Sequence, residues 1–164
     1  MKKNFSLLLT FFVTIFFISC KKDATDIPAG TIKMDLNGAP MTYSVDAKAI
    51  HLNVSGGNGI QVQGKYRTGS TSNLVFTIAV PGSVTTGTYT ENVAGNPLVS
   101  MTRCTELIFP CVYQAMTYGS VSNPLRITIS SITPSSVKGT FSGELHNNSG
   151  DNESITNGAF HVNF

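Results

Sequence analysis

Three histidines, His51, His146 and His161, hold most of the metal-binding capacity of this 164-residue chain. Nine carboxylates hold most of the acid–base capacity: Asp23, Asp26, Asp35, Asp46, Glu91, Glu106, Glu144, Asp151 and Glu153. A zinc site would need the histidines to converge on one ion at bonding distances of about 2 Å. Glycoside hydrolysis would need two carboxyl groups about 5–10 Å apart across a cleft. The run Asn147-Asn148-Ser149-Gly150-Asp151-Asn152-Glu153 offers the oxygen ligands that calcium takes. It lacks EF-hand spacing and reads as a solvated turn. No G-x-S-x-G elbow, no Gly-Lys-Ser/Thr phosphate loop and no H-E-x-x-H occurs. These observations assign no catalytic residue, no metal ligand and no cofactor. Five tyrosines, Tyr43, Tyr66, Tyr89, Tyr113 and Tyr118, could form a sugar-stacking platform, but Trp is absent and strand tyrosines are amphipathic in any case.

The three cysteines have different surroundings. Met1-Lys2-Lys3 is a cationic start, and Phe5–Ser19 is an uncharged run dominated by Phe, Leu, Ile and Val. With a small residue before the cut, this is the layout of a secretory signal. The run is short for a transmembrane helix, which needs about 20 apolar residues. Phe17-Ile18-Ser19-Cys20 resembles the bacterial lipobox, although that pattern prefers Leu where Phe17 stands. The resemblance implies cleavage before Cys20 and acylation of its thiol. Residues 1–19 are thus read as a lipoprotein signal peptide, and 20–30, KKDATDIPAG after Cys20, as a lipidated flexible tether broken by Pro28 and Gly30. Several acyl chains, at about 0.8 kcal/mol per buried methylene, anchor a protein that does not span the membrane.

Export leaves Cys104 and Cys111 as a pair in an oxidising compartment, where disulfides persist. Closing the eight-residue loop between them stabilises by about 2.5 kcal/mol in the chain-entropy treatment. C-x₆-C matches neither the redox C-x-x-C nor half of a standard zinc site. A structural Cys104–Cys111 disulfide is the expectation.

Lys2 and Lys3 leave with the signal, so nine of the eleven Lys and Arg remain against nine acids. The mature chain is formally neutral. It has no basic stripe for nucleic acid, and export directs it away from the cytoplasm.

The elements must position these groups. Residues 31–164 are enough for one domain with a real core. The segment is rich in Thr, Ser, Val, Ile, Gly and Asn and shows no helical periodicity over ten or more residues. Alternation predicts strands at Thr31–Leu36, Met41–Val45, Ala49–Val54, Ile60–Tyr66 and Leu74–Val80. Asn37-Gly38 is a hairpin signal. A short strand follows at Thr88–Glu91. The middle is irregular, with a helical turn at Thr105–Phe109 ended by Pro110 and a strand at Val112–Tyr118. Leu125–Ser130, Val137–His146 and Ile155–Phe164 complete the set. Eight to ten antiparallel strands on short connections predict an all-β antiparallel sandwich, with a lipocalin-like closed barrel as the alternative. No lipid-facing band suits a membrane barrel.

In the last hairpin, simple pairing sets Val137, Phe141 and Leu145 on one face with Phe160, Val162 and Phe164. It places His146 opposite Glu153 and His161 opposite Lys138, all on the solvent side. Ile155 has the wrong parity unless a bulge at Asn157-Gly158 returns it to the core. Glu144 and Glu153 then form at most a solvated pair. Gly139 and Gly143, beside Phe141, leave room for an aromatic from the facing sheet.

Leu125-Arg-Ile-Thr-Ile129, Val137-Lys-Gly-Thr-Phe-Ser-Gly143, Ile155-Thr-Asn-Gly-Ala-Phe160 and the Gly87-Thr-Tyr89 step resemble a family of small, uncharacterised lipoproteins of Gram-negative bacteria. The resemblance covers about the last 80 residues. It implies an extracytoplasmic β-fold and transfers no activity. The expectation is a non-enzymatic lipoprotein of the cell envelope, anchored at Cys20 with the outer membrane as destination, that binds a protein, a glycan or the envelope itself. A carrier with an apolar barrel pocket is the alternative, and a hydrolase with an unrecognised site comes third.

Overall fold

Side chains that alternate between core and surface build this molecule. In Asn73–Val80, Leu74, Phe76 and Ile78 are buried while Asn73, Val75 and Thr77 are half-buried. A computed structural model describes residues 26–164 apart from Ser55, 92–97, 106–107 and 116–121, and only the backbone at 108–112. The export signal, Cys20, the first part of the tether, Glu106, residues 116–118 of an expected strand and the Cys111 side chain lie outside the described residues.

Among the described residues the strands are β1 (Thr31–Leu36), β2 (Ala39–Tyr43), β3 (Val45–Val54), β4 (Gly57–Lys65), β5 (Asn73–Val80), β6 (Gly87–Thr90), β7 (Leu98–Thr105), β8 (Ile108–Ala115), β9 (Arg126–Ile132), β10 (Ser136–His146) and β11 (Asn152–Asn163). The β1–β2 turn has φ of 50° at Asn37 and 81° at Gly38, as the two central residues of a type I′ hairpin require. Two corrections concern the middle of the chain. β7 has no counterpart among the expected strands. At the expected helical turn Thr105–Phe109, the described residues are strand instead: Thr105 ends β7, and Ile108 and Phe109 open β8, which pairs back onto β7.

The strands join one mixed sheet in the order β2-β1-β11-β3-β4-β5-β7-β8-β10-β9-β6, with β11 also paired to β10. Two junctions consist of a single residue pair. Asn163↔Lys48 links β11 to β3 in parallel, and His146↔Gln114 links β10 to β8. Between these seams run full antiparallel ladders. The seams therefore divide the sheet into two layers, β2-β1-β11-β10-β9-β6 and β3-β4-β5-β7-β8. The expected β-sandwich is present, with eleven strands rather than eight to ten and one parallel contact. A closed barrel would carry complete ladders at both seams.

Three rings hold the layers together. Phe76 of β5 lies 5.4 Å from Phe141 of β10 and 5.0 Å from Phe160 of β11, centroid to centroid, the latter edge-on. Phe160 stands opposite Gly139, and Phe141 opposite Gly158. A Cβ on Gly139 would come within 2.5 Å of the Phe160 ring, and one on Gly158 within 2.7 Å of the Phe141 ring. Each ring thus lies over a glycine on the neighbouring strand, a pairing that fills the space the glycine leaves. Gly139 and Gly143 were expected to admit an aromatic from the facing sheet; at Gly139 the ring comes from the adjacent strand instead, and Gly143 lies against the Leu125 backbone, not a ring.

The expected bulge is present. β11 inserts an extra residue near Asn157, whose φ is 51°. Up to Gly158 the β10 pairs follow the simple register, with Lys138 opposite His161. Beyond the bulge they shift by one, so that Gly143 faces Ile155 and His146 faces Asn152, not Glu153. Ile155 returns to the core. At the other end, Ile27 is buried, and His161 Nδ1 donates to its carbonyl over 3.0 Å. The chain is fixed to the sandwich from residue 27.

The face assignment of the β10–β11 hairpin is directly testable. Phe141→Ala should cost about 3–5 kcal/mol, and Lys138→Ala, on the outer face, should stay within about 0.5 kcal/mol. Urea unfolding of both variants checks this; equal losses would contradict the register.

Candidate functional site

The structure does not bring the histidines together. His161 binds the Ile27 carbonyl, His146 Nδ1 meets Asn152 Oδ1 at 2.7 Å, and His51 stacks on the Phe164 ring at 4.0 Å and 8°. Among the described residues no histidine is hydrogen-bonded to a Ser or Thr, and no three His, Cys, Asp or Glu side chains gather around a common point. In the loop after β10, Asn147 Oδ1 accepts from the amides of Ser149 and Asp151, and Asn147 Nδ2 donates to Asp151 Oδ2. Its oxygens are used in closing the turn.

The expected solvated pair of Glu144 and Glu153 is not formed. Glu144 stands opposite Ser154 on the outer face. Glu153, shifted by the bulge to the inner face, is 7% exposed. Its partner is Arg103 of β7, 6% exposed. Arg103 Nε donates to Glu153 Oε2 over 2.6 Å, and Nη2 donates to Oε1. This two-pronged ion pair crosses from one layer to the other. The Tyr113 ring lies 5.1 Å from the guanidinium carbon, within cation–π range. Tyr43, fully buried, packs edge-on against Tyr66 at 6.1 Å. Its hydroxyl lies close to Arg103 without completing a hydrogen bond of normal geometry. Burial pushes the Tyr43 pKa up, with Arg103 pulling against it.

A second buried carboxyl, Glu91, follows β6 and is 2% exposed. Its backbone amide donates to the Leu125 carbonyl, and its Oε2 accepts from the Leu125 amide at 3.0 Å. Oε1 has no partner among the described residues, nor has His146 Nε2. Burial raises the Glu91 pKa, while the Leu125 amide and the nearby His146 oppose the rise. Glu91 is thus a carboxyl whose neutral form the fold favours. Nothing in the alternation marked either carboxyl: Glu91 stands just beyond a four-residue strand, and Glu153 has the wrong parity unless the bulge is placed first.

A concavity of about 360 Å³ lies at the opposite end of the sandwich. The β3–β4 hairpin forms one wall of it. His51 pairs with Ile60 and Asn53 with Asn58 across this hairpin, and cross-strand partners share a face. These four side chains face inward, with Ser83, Val84 and Ile132 across from them. Asn58 is held by two bonds to the Gly82 carbonyl, from its backbone amide at 3.1 Å and from Nδ2 at 2.9 Å. The groove is open and half polar. It is not the deep apolar pocket a lipid carrier would need.

No family model matches the chain, and no curated protein and no solved structure matches it either.

Two predictions follow the buried charges. Arg103→Ala should destabilise by about 3–5 kcal/mol, because it leaves Glu153 buried and unpaired. The double variant Arg103→Met, Glu153→Leu should recover most of that loss in a denaturant-unfolding cycle; a double variant no more stable than the single would show that the charges themselves are needed. For Glu91, the raised folded pKa means that its protonated form adds stability fully below the ordinary value of 4.5. That contribution is lost as pH rises through the folded value. Glu91→Gln keeps an acceptor for the Leu125 amide. Relative to the parent chain it should therefore gain stability as pH rises from 4.5 towards 7, read from urea midpoints, and an unchanged difference would mean that folding leaves the Glu91 pKa unshifted.

Proposed function

We propose that this chain is an exported lipoprotein, cut before Cys20, acylated on that thiol and held at the bacterial outer membrane, where its sandwich acts as a non-enzymatic binding or structural module. The observation that carries the proposal is the cationic start and apolar Phe5–Ser19 run ending at Ser19-Cys20. Membership of the small Gram-negative lipoprotein family, on the C-terminal strand pattern, belongs to the same reading.

The docking of Ile27 adds a spatial consequence. Six residues separate Cys20 from Ile27. At about 3.3–3.6 Å per residue they reach at most about 25 Å. The sandwich would sit close to its membrane, with the Ile27 end nearest. Cys104 and Cys111 belong to the same proposal as a disulfide. The β7–β8 register passes from Arg103↔Tyr113 to Thr105↔Ile108, so Cys104 stands opposite the segment that contains Cys111. The carrier reading is weaker, because the groove is open and half polar. The hydrolase reading has no nucleophile paired to a base among the described residues to support it.

Cys20→Ala should abolish metabolic labelling by an alkynyl palmitate and move the protein out of the membrane fraction. Labelling that persists in this variant would end the lipoprotein reading. Digestion of the membrane-extracted protein without reductant should give a cross-linked Cys104–Cys111 peptide; two free thiols would remove the disulfide from it.

A further inference from the structure

We infer that the groove walled by the β3–β4 hairpin is a binding site for an uncharged glycan. This deepens the reading of the sandwich as a binding module and does not depend on the lipid anchor.

The first argument is the change in character along one face. Further into the sandwich, the inward positions of β3 and β4 are Ala49 and Val62, both buried. Past Ile60 the same face carries His51, Asn53 and Asn58, all exposed. Inward-facing positions at the rim thus carry an imidazole and two amides above an apolar floor of Ile60 and Val84.

The second argument is charge. Among the described residues, no Lys, Arg, Asp or Glu lines the groove. A charged ligand would lose water there without meeting a counter-charge, which is costly. A wholly apolar ligand would cover the amides and leave them unpaired. A sugar matches both halves, with hydroxyls for the amides and a C–H face for flat rings and aliphatic carbon.

The third argument is rigidity. Asn58 is held through two bonds to Gly82, which leaves its side-chain oxygen as an oriented acceptor. His51 is held flat by Phe164, so its other ring face forms a fixed wall. Groups fixed before binding lose little entropy on binding. Asn53, its partner across the hairpin, brings both a donor and an acceptor to the same edge.

The test uses the full mature protein in detergent, titrated by calorimetry with three neutral tetrasaccharides: chitotetraose, cellotetraose and maltotetraose. Tetragalacturonate and palmitate serve as charged and apolar comparators. At least one neutral tetrasaccharide should bind more tightly than both comparators. Asn53→Ala and His51→Ala should each weaken it about fivefold to tenfold, the effect of one lost hydrogen bond or stacking contact. Lys138→Ala, outside the groove, should leave binding unchanged, and the thermal midpoints of all three variants should match the parent. Failure of all three neutral sugars to bind overturns the inference. Binding that Asn53→Ala and His51→Ala both leave intact also overturns it. Preference for palmitate overturns the glycan class, and preference for tetragalacturonate overturns the uncharged character of the ligand; either leaves a binding module in place. None of these outcomes bears on acylation at Cys20, which the labelling experiment decides alone.

Discussion

Phe160 lies across from Gly139, and Phe141 lies across from Gly158, two rungs apart on one ladder. A side chain on either glycine would occupy the space of a ring. The rings can therefore lie low over their own sheet and still meet Phe76 from the other layer. The spacing of the layers depends on this arrangement, because backbone hydrogen bonds do little to set it. Each seam between the layers is one residue pair. What keeps the layers in register is side-chain packing, with the aromatic cluster at its centre and the Arg103–Glu153 pair beside it.

The ion pair explains what sequence reasoning could and could not see. Strands such as β5 and β9 declare themselves, because apolar residues occupy every inward position. β7 has the same alternation in Val99, Met101 and Arg103, all buried, but a guanidinium at the third inward position disguises it. Glu153 is hidden twice, by its charge and by the bulge at Asn157 that reverses its parity. Each is a poor core residue alone. Only the pairing of the two, fifty residues apart, makes both acceptable, and no local pattern contains that information. The bulge itself was legible, because Ile155 could not otherwise reach the core. Its effect on Glu153 and His146, beyond it on the same strand pair, was not carried through to their partners.

The two ends of the sandwich differ in chemistry. Around Glu91 and His146, one buried polar atom of each side chain has no partner among the described residues. Around His51, Asn53 and Asn58, polar atoms are exposed, held in position and free of formal charge on neighbouring side chains. The first end holds a carboxyl whose pKa burial raises, and the second presents exposed, uncharged polar side chains. The groove was not legible in advance because its lining comes from β3, β4, β9 and the chain after β5, residues far apart in sequence. Their juxtaposition appears only when the pairing of the strands is known.

The placement of β1 gives the molecule a mechanical direction. β1 lies between β2 and β11 and is hydrogen-bonded to both. The chain enters it at Thr31, just past the point where Ile27 is latched to His161. A force arriving from residue 26 first meets that latch and then runs along the axis of β1. Rungs on both flanks are loaded together in shear, so no single pair takes the whole strain as it would if the strand were peeled from one end. A domain tugged from its amino terminus would yield at the latch before the sheet gave way, lengthening by a few residues while its core and groove stayed intact.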